Sequence, residues 1–115
     1  MIKDSRYYYG LGMECYEMND YKKAVEFFQQ SVVLQDHFKT FELLYRCYLK
    51  IGEYTSAREC IEKAYFLNNK NDRVAVLYAT VLLSENSIKS TETIIQDVLD
   101  RNPTYGPAKR LYDEI

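Results

Sequence analysis

The sequence holds one histidine, His37, and three cysteines, Cys15, Cys47 and Cys60, so an imidazole-activated thiol would have to pair His37 with Cys47 or Cys60. His37 falls in a stretch that reads as a turn between helical segments, which suits an exposed loop residue better than a base aimed at a thiol. Glu59 and Glu62 share a helix face at a spacing of three, a pattern that solvated surface charge explains. There is no second histidine for an HExxH zinc pair, no Cys-x-x-Cys, and no glycine-rich loop after a strand. An odd number of cysteines does not make a disulfide framework. The thiols are therefore expected to be reduced and half-buried, which favours a cytoplasmic home. No enzymatic activity, metal or cofactor is expected.

The twelve tyrosines invite a different chemistry, because aromatic plates can stack on bases. A pI near 5.4 and a net charge of −2 argue against nucleic acid. Most tyrosines also fall at core steps of a helical pattern. In Tyr7-Tyr8-Tyr9 the side chains point in three directions about 100° apart. Only Tyr8 is needed for a core, so Tyr7 and Tyr9 are expected to be exposed. The longest apolar run, VAVLYATVLL at 74–83, is too short to span a bilayer, and no secretory signal is expected at the start of the chain.

The elements that must position these residues follow from periodicity. Length (115 residues) fits one domain, and four Gly and two Pro among them favour long helices and tight turns. Tyr8, Leu11, Gly12, Cys15 and Tyr16 recur at steps of three and four, with Asp4 or Ser5 as N-cap. Asn19-Asp20 breaks that pattern, and a second stripe runs through Ala24, Phe27, Phe28, Ser31 and Val32. Phe41, Leu44, Tyr45 and Tyr48 mark a third helix, ended by Gly52 in a left-handed turn. Tyr54, Ala57, Cys60, Ile61, Ala64 and Tyr65 mark a fourth. Asp72 is expected to cap a fifth, with Ala75, Tyr78, Ala79 and Leu82. Ile88, Thr91, Ile94, Ile95, Val98 and Leu99 mark a sixth, stopped before Pro103, and Ala108, Leu111, Tyr112 and Ile115 give a short closing helix one apolar face. The phrases NDYKKA at 19–24 and GEYTSA at 52–57 place Ala24 and Ala57 33 residues apart, and Thr91 follows Ala57 by 34. The expected architecture is all-α: three helix-turn-helix repeats (about 5–37, 38–71 and 72–105) and a closing helix (about 105–115).

These residues resemble the tetratricopeptide repeat (TPR) family, whose period is about 34 residues. The first repeat offers Tyr8, Leu11-Gly12, Tyr21, Ala24 and Phe28; the second Phe41, Leu44, Tyr48, Gly52, Tyr54, Ala57, Ala64 and Leu67; the eroded third Tyr78-Ala79, Leu82, Ile88, Ile95 and Pro103. Tyr45 stands where the family prefers a small residue, Thr91 where it prefers Ala, and Asp36 and Asn69 where it closes a repeat with Pro. The resemblance implies a right-handed α-α superhelix, a TPR-like solenoid, whose first helices line a concave groove that grips a partner peptide. The residues offset from the core stripe are Arg6, Tyr9, Met13, Tyr16 and Glu17; then Lys39, Glu42, Leu43, Arg46, Leu49 and Lys50; then Arg73, Val76, Leu77 and Thr80. Five are basic and two acidic, so this surface nets +3 against −2 for the whole chain. Tyr9, Met13, Tyr16, Leu43, Leu49 and Leu77 would form an apolar floor.

The Lys/Asn/Arg clamp with which some TPR domains hold the C-terminal carboxylate of heat-shock chaperones is missing, because the matching places carry Tyr9, Met13, Leu43, Arg73 and Leu77. The groove looks more like that of three-repeat chaperones of bacterial secretion. The expected function is a non-catalytic protein-interaction module or scaffold for a protein or peptide with apolar and acidic residues, with no nucleic acid and no membrane span. The alternatives are a self-associating repeat unit, a homo-oligomer stacked through its uncovered end, or a piece of a longer repeat array.

Overall fold

A computed structural model describes residues 2–115, and every regular element in it is helical. The helices are α1 (Ser5–Glu17), α2 (Tyr21–Leu34), α3 (Phe38–Lys50), α4 (Tyr54–Leu67), α5 (Asp72–Ser84), α6 (Ile88–Arg101) and α7 (Gly106–Asp113). They fall into two units, Met1–Leu67 with α1 to α4 and Asn68–Ile115 with α5 to α7.

Local chemistry sets the helix ends. Asp4 accepts the Tyr7 N–H at 3.0 Å, Asp20 the Lys23 N–H at 3.3 Å, and Asn71 the Val74 N–H at 3.0 Å. Each satisfies one of the donors a helix start leaves open. The expected cap Asp72 is instead the first residue of α5. Its carboxylate accepts from Arg101 at 2.9 Å, tying the end of α6 to the start of α5. Both Asn and Asp cap helices well, so only the backbone decides between neighbours; Asn71 is extended, with ψ 113°.

Within each hairpin the turn contains one left-handed residue: Asn19 at φ 62°, Gly52 at φ 79° and Asn86 at φ 62°. Asn and Gly are the residues that visit this region most cheaply. They stand 33 and 34 residues apart, so the repeat seen in the side chains is also a repeat of backbone shape.

The first unit closes on small-to-large contacts. A Cβ added to Gly12 would lie 2.6 Å from Cδ1 and Cε1 of Phe28, so the ring fills the space that glycine leaves. Ala24 and Phe28 are wholly buried in α2, as are Cys47 in α3 and Ile61 and Ala64 in α4. Tyr45, at a position where the family prefers a small residue, is buried without splaying α3 from α4. Gln29 of α2 donates to the Tyr48 hydroxyl of α3. In the second unit, Thr91 takes the place of the expected Ala. It is fully buried, and its hydroxyl donates to the Ser87 carbonyl at 2.8 Å, so the added polar atom is not left unsatisfied. Ala108 and Leu111 of α7 are buried in the second unit. No helix among the described residues is long and apolar enough to cross a membrane.

Candidate partner-binding site

The offset residues of the first unit lie on α1 and α3, and side-chain contacts show how these two helices are arranged. At their N-terminal ends Arg6 and Tyr9 line the same cleft as His37 and Lys39. At their C-terminal ends Tyr16 of α1 packs edge-on against Tyr21 at 5.7 Å, and the Lys50 ammonium of α3 stands 6.0 Å from that same ring. The two helices therefore run side by side in the same sense, with Arg6, Tyr9 and Lys39 at one end and Tyr16 and Lys50 at the other. Of their offset residues, Arg6, Lys39, Leu49 and Lys50 are exposed, while Tyr9, Met13, Tyr16 and Arg46 are half-buried.

The structure corrects the expected surface in two respects. Leu43, expected on the groove floor, retains only 8% of its surface, and Glu42 only 3%. The cause is the position of α3, which packs against α2 on one side and α4 on the other. Residues 40–45 are all buried, leaving a much narrower open stripe than a helix with one neighbour would have. Leu44, assigned to the core, is 2% exposed.

The second correction is electrostatic. The Arg46 guanidinium donates to the Glu42 carboxylate at 3.0 Å, one helical turn apart. Arg46 is thus committed to a buried acid, and the free positive charge of the first unit's face rests on Arg6, Lys39 and Lys50. The pairing at i and i+4 was readable in the sequence; the burial of its acid was not. Arg6 meets Asp4 at 3.7 Å with both side chains solvated, a contact of little energetic weight.

Tyr9, expected to be exposed, is half-buried with its ring 5.8 Å from that of Phe28. Burial pushes its phenol pKa up, and the nearby negative charge of Glu42 pushes it further the same way. Tyr7 is also half-buried, edge-on to Tyr8 at 5.1 Å. In the second unit, α5 carries the remaining offset residues. Arg73 and Thr80 are exposed, Leu77 is half-buried and Val76 is buried at 9%. Tyr78, assigned to the core, is 6% exposed.

His37 has a role that the sequence reading missed. It is the N-cap of α3, and its Nδ1 accepts the Lys39 N–H at 3.1 Å. Imidazole is an uncommon cap, so pattern alone gave no signal. The alternative role as a base for a thiol is disfavoured by geometry, since Cys47 lies ten residues along α3, about 15 Å at the helical rise. Burial pushes the Cys47 and Cys60 thiols up to about 11, away from the thiolate that nucleophilic chemistry needs.

Models of the tetratricopeptide repeat match residues 5–38 and 46–71, together a little over half of the chain. Among solved structures, the chain resembles the first TPR of Spaghetti (RPAP3) bound to an HSP90 peptide, with a TM-score of 0.79 at 11% identity, over 97% of this chain and 90% of that one. It resembles the Arabidopsis OM64 TPR domain with a TM-score of 0.75 at 20% identity, over 98% of both chains. It also resembles the Yersinia enterocolitica type III secretion chaperone SycD in complex with a peptide of the translocator YopD, with a TM-score of 0.69 at 21% identity, over 93% of this chain and 82% of that one. At these identities the likeness speaks for the fold. With the family models, the helix pairs and the recurring left-handed turns, it makes this chain a member of the tetratricopeptide repeat family with about three repeats.

Proposed function

We propose that this chain is a non-catalytic interaction module that holds a segment of a protein partner on the face formed by α1 and α3. The observation that carries this reading is that face itself. On it half-buried Tyr9, Met13 and Tyr16 and exposed Leu49 would supply apolar contact, while Arg6, Lys39 and Lys50 would supply positive charge. Aromatic residues, Met and Arg are the types enriched where proteins meet. In the second unit Arg73, Leu77 and Thr80 of α5 are proposed as contact residues in their own right. Structural neighbours that hold peptides, SycD with its YopD segment and the Spaghetti TPR with its HSP90 peptide, support the same reading. Three thiols without a disulfide among the described residues suit a reducing compartment, and we place the protein in the cytoplasm.

The test is affinity capture with three versions of the chain. Leu49→Asp with Lys50→Glu alters the face at exposed positions, whereas Val33→Asp alters α2 at a residue that is 84% exposed elsewhere. Partners retained by the wild type should be lost from the first variant and kept by the second. Equal retention by both would overturn the assignment of the face.

A further inference from the structure

We infer that the cleft where α1 and α3 begin is a subsite for a glutamate side chain of the bound partner segment, an inference that rests on the peptide-holding reading above. The cleft has a volume of about 330 Å³. That is the lower end of the range for ligand sites, room for one or two residues rather than a whole peptide.

Its chemistry is one-sided. Arg6, His37 and Lys39 line it, and no carboxylate does. Lys39 makes no ion pair with any described residue. The two serine hydroxyls on the wall are already engaged. Ser31 Oγ donates to the Ser5 carbonyl at 2.7 Å, and Ser5 Oγ donates to Gln35 Oε1 at 3.3 Å.

His37 adds a directed donor. Because its Nδ1 accepts the Lys39 N–H, the neutral ring must carry its proton on Nε2, so the side chain offers an N–H rather than a lone pair. Three acids stand nearby and none lines the cleft; Asp36 lies on the wall of a separate pocket with Phe41 and Glu62. Glu42 is buried and bonded to Arg46, and Asp4 is occupied capping Tyr7 and meets Arg6 only at 3.7 Å. An occupant must therefore bring the negative charge. Tyr9 supplies the apolar wall for the two methylenes of a glutamate, whose carboxylate then reaches the Arg6 guanidinium and the Lys39 ammonium.

The probe is a pair of random dodecapeptide display libraries selected on the full chain. One presents peptides with free C-termini; the other presents them fused at both ends. Wild type should select sequences from both libraries in which Glu stands at a fixed offset from apolar positions. Arg6→Ala with Lys39→Ala should abolish the Glu preference and leave the apolar positions. It should weaken a selected peptide about three- to tenfold at low salt, the effect of losing two exposed charge pairs. Both positions are exposed, and an unchanged thermal melt verifies the fold. Glu selection that survives in the double variant, no Glu selection by wild type, or acid recognition only at free C-termini would each overturn the glutamate subsite while leaving the peptide-holding reading intact. Absence of any enriched sequence on wild type would overturn both.

Discussion

Gly12 and Gly10 sit one half-turn apart in α1, and replacing each by alanine should change stability in opposite directions. Alanine in a helix interior gains up to about 1 kcal/mol over glycine, because glycine loses more backbone freedom on folding. At Gly10 nothing lies within 4 Å of the added Cβ, so Gly10→Ala should show that gain, about 0.5–1 kcal/mol. At Gly12 the same methyl meets two ring atoms of Phe28 at 2.6 Å. Phe28 is wholly buried and packed against Tyr9, so the ring cannot swing into solvent. Overpacking of this kind costs roughly 1–3 kcal/mol, which outweighs the helical gain and leaves a net loss of about 1 kcal/mol. The two variants should then differ by about 2 kcal/mol, or about 1 M in the midpoint of a urea titration followed by circular dichroism. A Gly12→Ala, Phe28→Leu cycle should show coupling on the order of 1 kcal/mol, because the smaller side chain vacates the space. If Gly12→Ala is as stable as Gly10→Ala, the small-to-large contact proposed to set the spacing of α1 and α2 does not exist.

Leu43→Ala should cost about 2–4 kcal/mol because Leu43 is buried, whereas Leu49→Ala at 39% exposure should change stability by less than about 0.5 kcal/mol; urea midpoints of the two compare them directly. Native protein at pH 8 should react with a thiol reagent first at half-exposed Cys15, since thiols raised to about 11 hold roughly one thiolate in a thousand at that pH, and urea should bring Cys47 and Cys60 into reach. The fold favours the protonated form of both thiols. Their stabilisation is therefore complete below pH 9, the ordinary thiol value, and is lost as pH rises toward about 11, so the urea midpoint should fall between pH 8 and pH 10.5. Burial raises the Tyr45 phenol too, so it adds to that loss at the alkaline end. Asn86→Gly should be neutral or slightly stabilising, while Asn86→Val should cost about 1–2 kcal/mol, because a branched side chain resists the left-handed backbone; thermal melts distinguish them.

The fold was legible because it is local. A helical period survives in each segment, and turn residues recur at equal intervals, so α2 begins at Tyr21 and α6 ends before Pro103 as the residues alone require. The small residues Gly12, Ala24 and Ala57 marked the close approaches for the same reason. What escaped depends on neighbours distant in sequence. Leu43 and Glu42 lie on the outer side of any amphipathic projection, and only the packing of α3 between two partners covers them. The i and i+4 spacing of Glu42 and Arg46 is visible in the sequence, but not that the acid of that pair is buried. Arg46 and Lys39 look alike in a sequence, and one is committed to a buried carboxylate while the other is not.

The three left-handed turns also bear on how such a chain can change its length. Each clip has one left-handed residue at a fixed place, and a residue inserted within it would displace that position and disturb the close approach of the two helices it joins. The joint at residues 35–37, extended at Gln35 and His37, lies between hairpins, so an extra residue beside Asp36 leaves both neighbouring left-handed clips intact. Insertions and tags should therefore be tolerated at that joint and rejected at Asn19, Gly52 and Asn86.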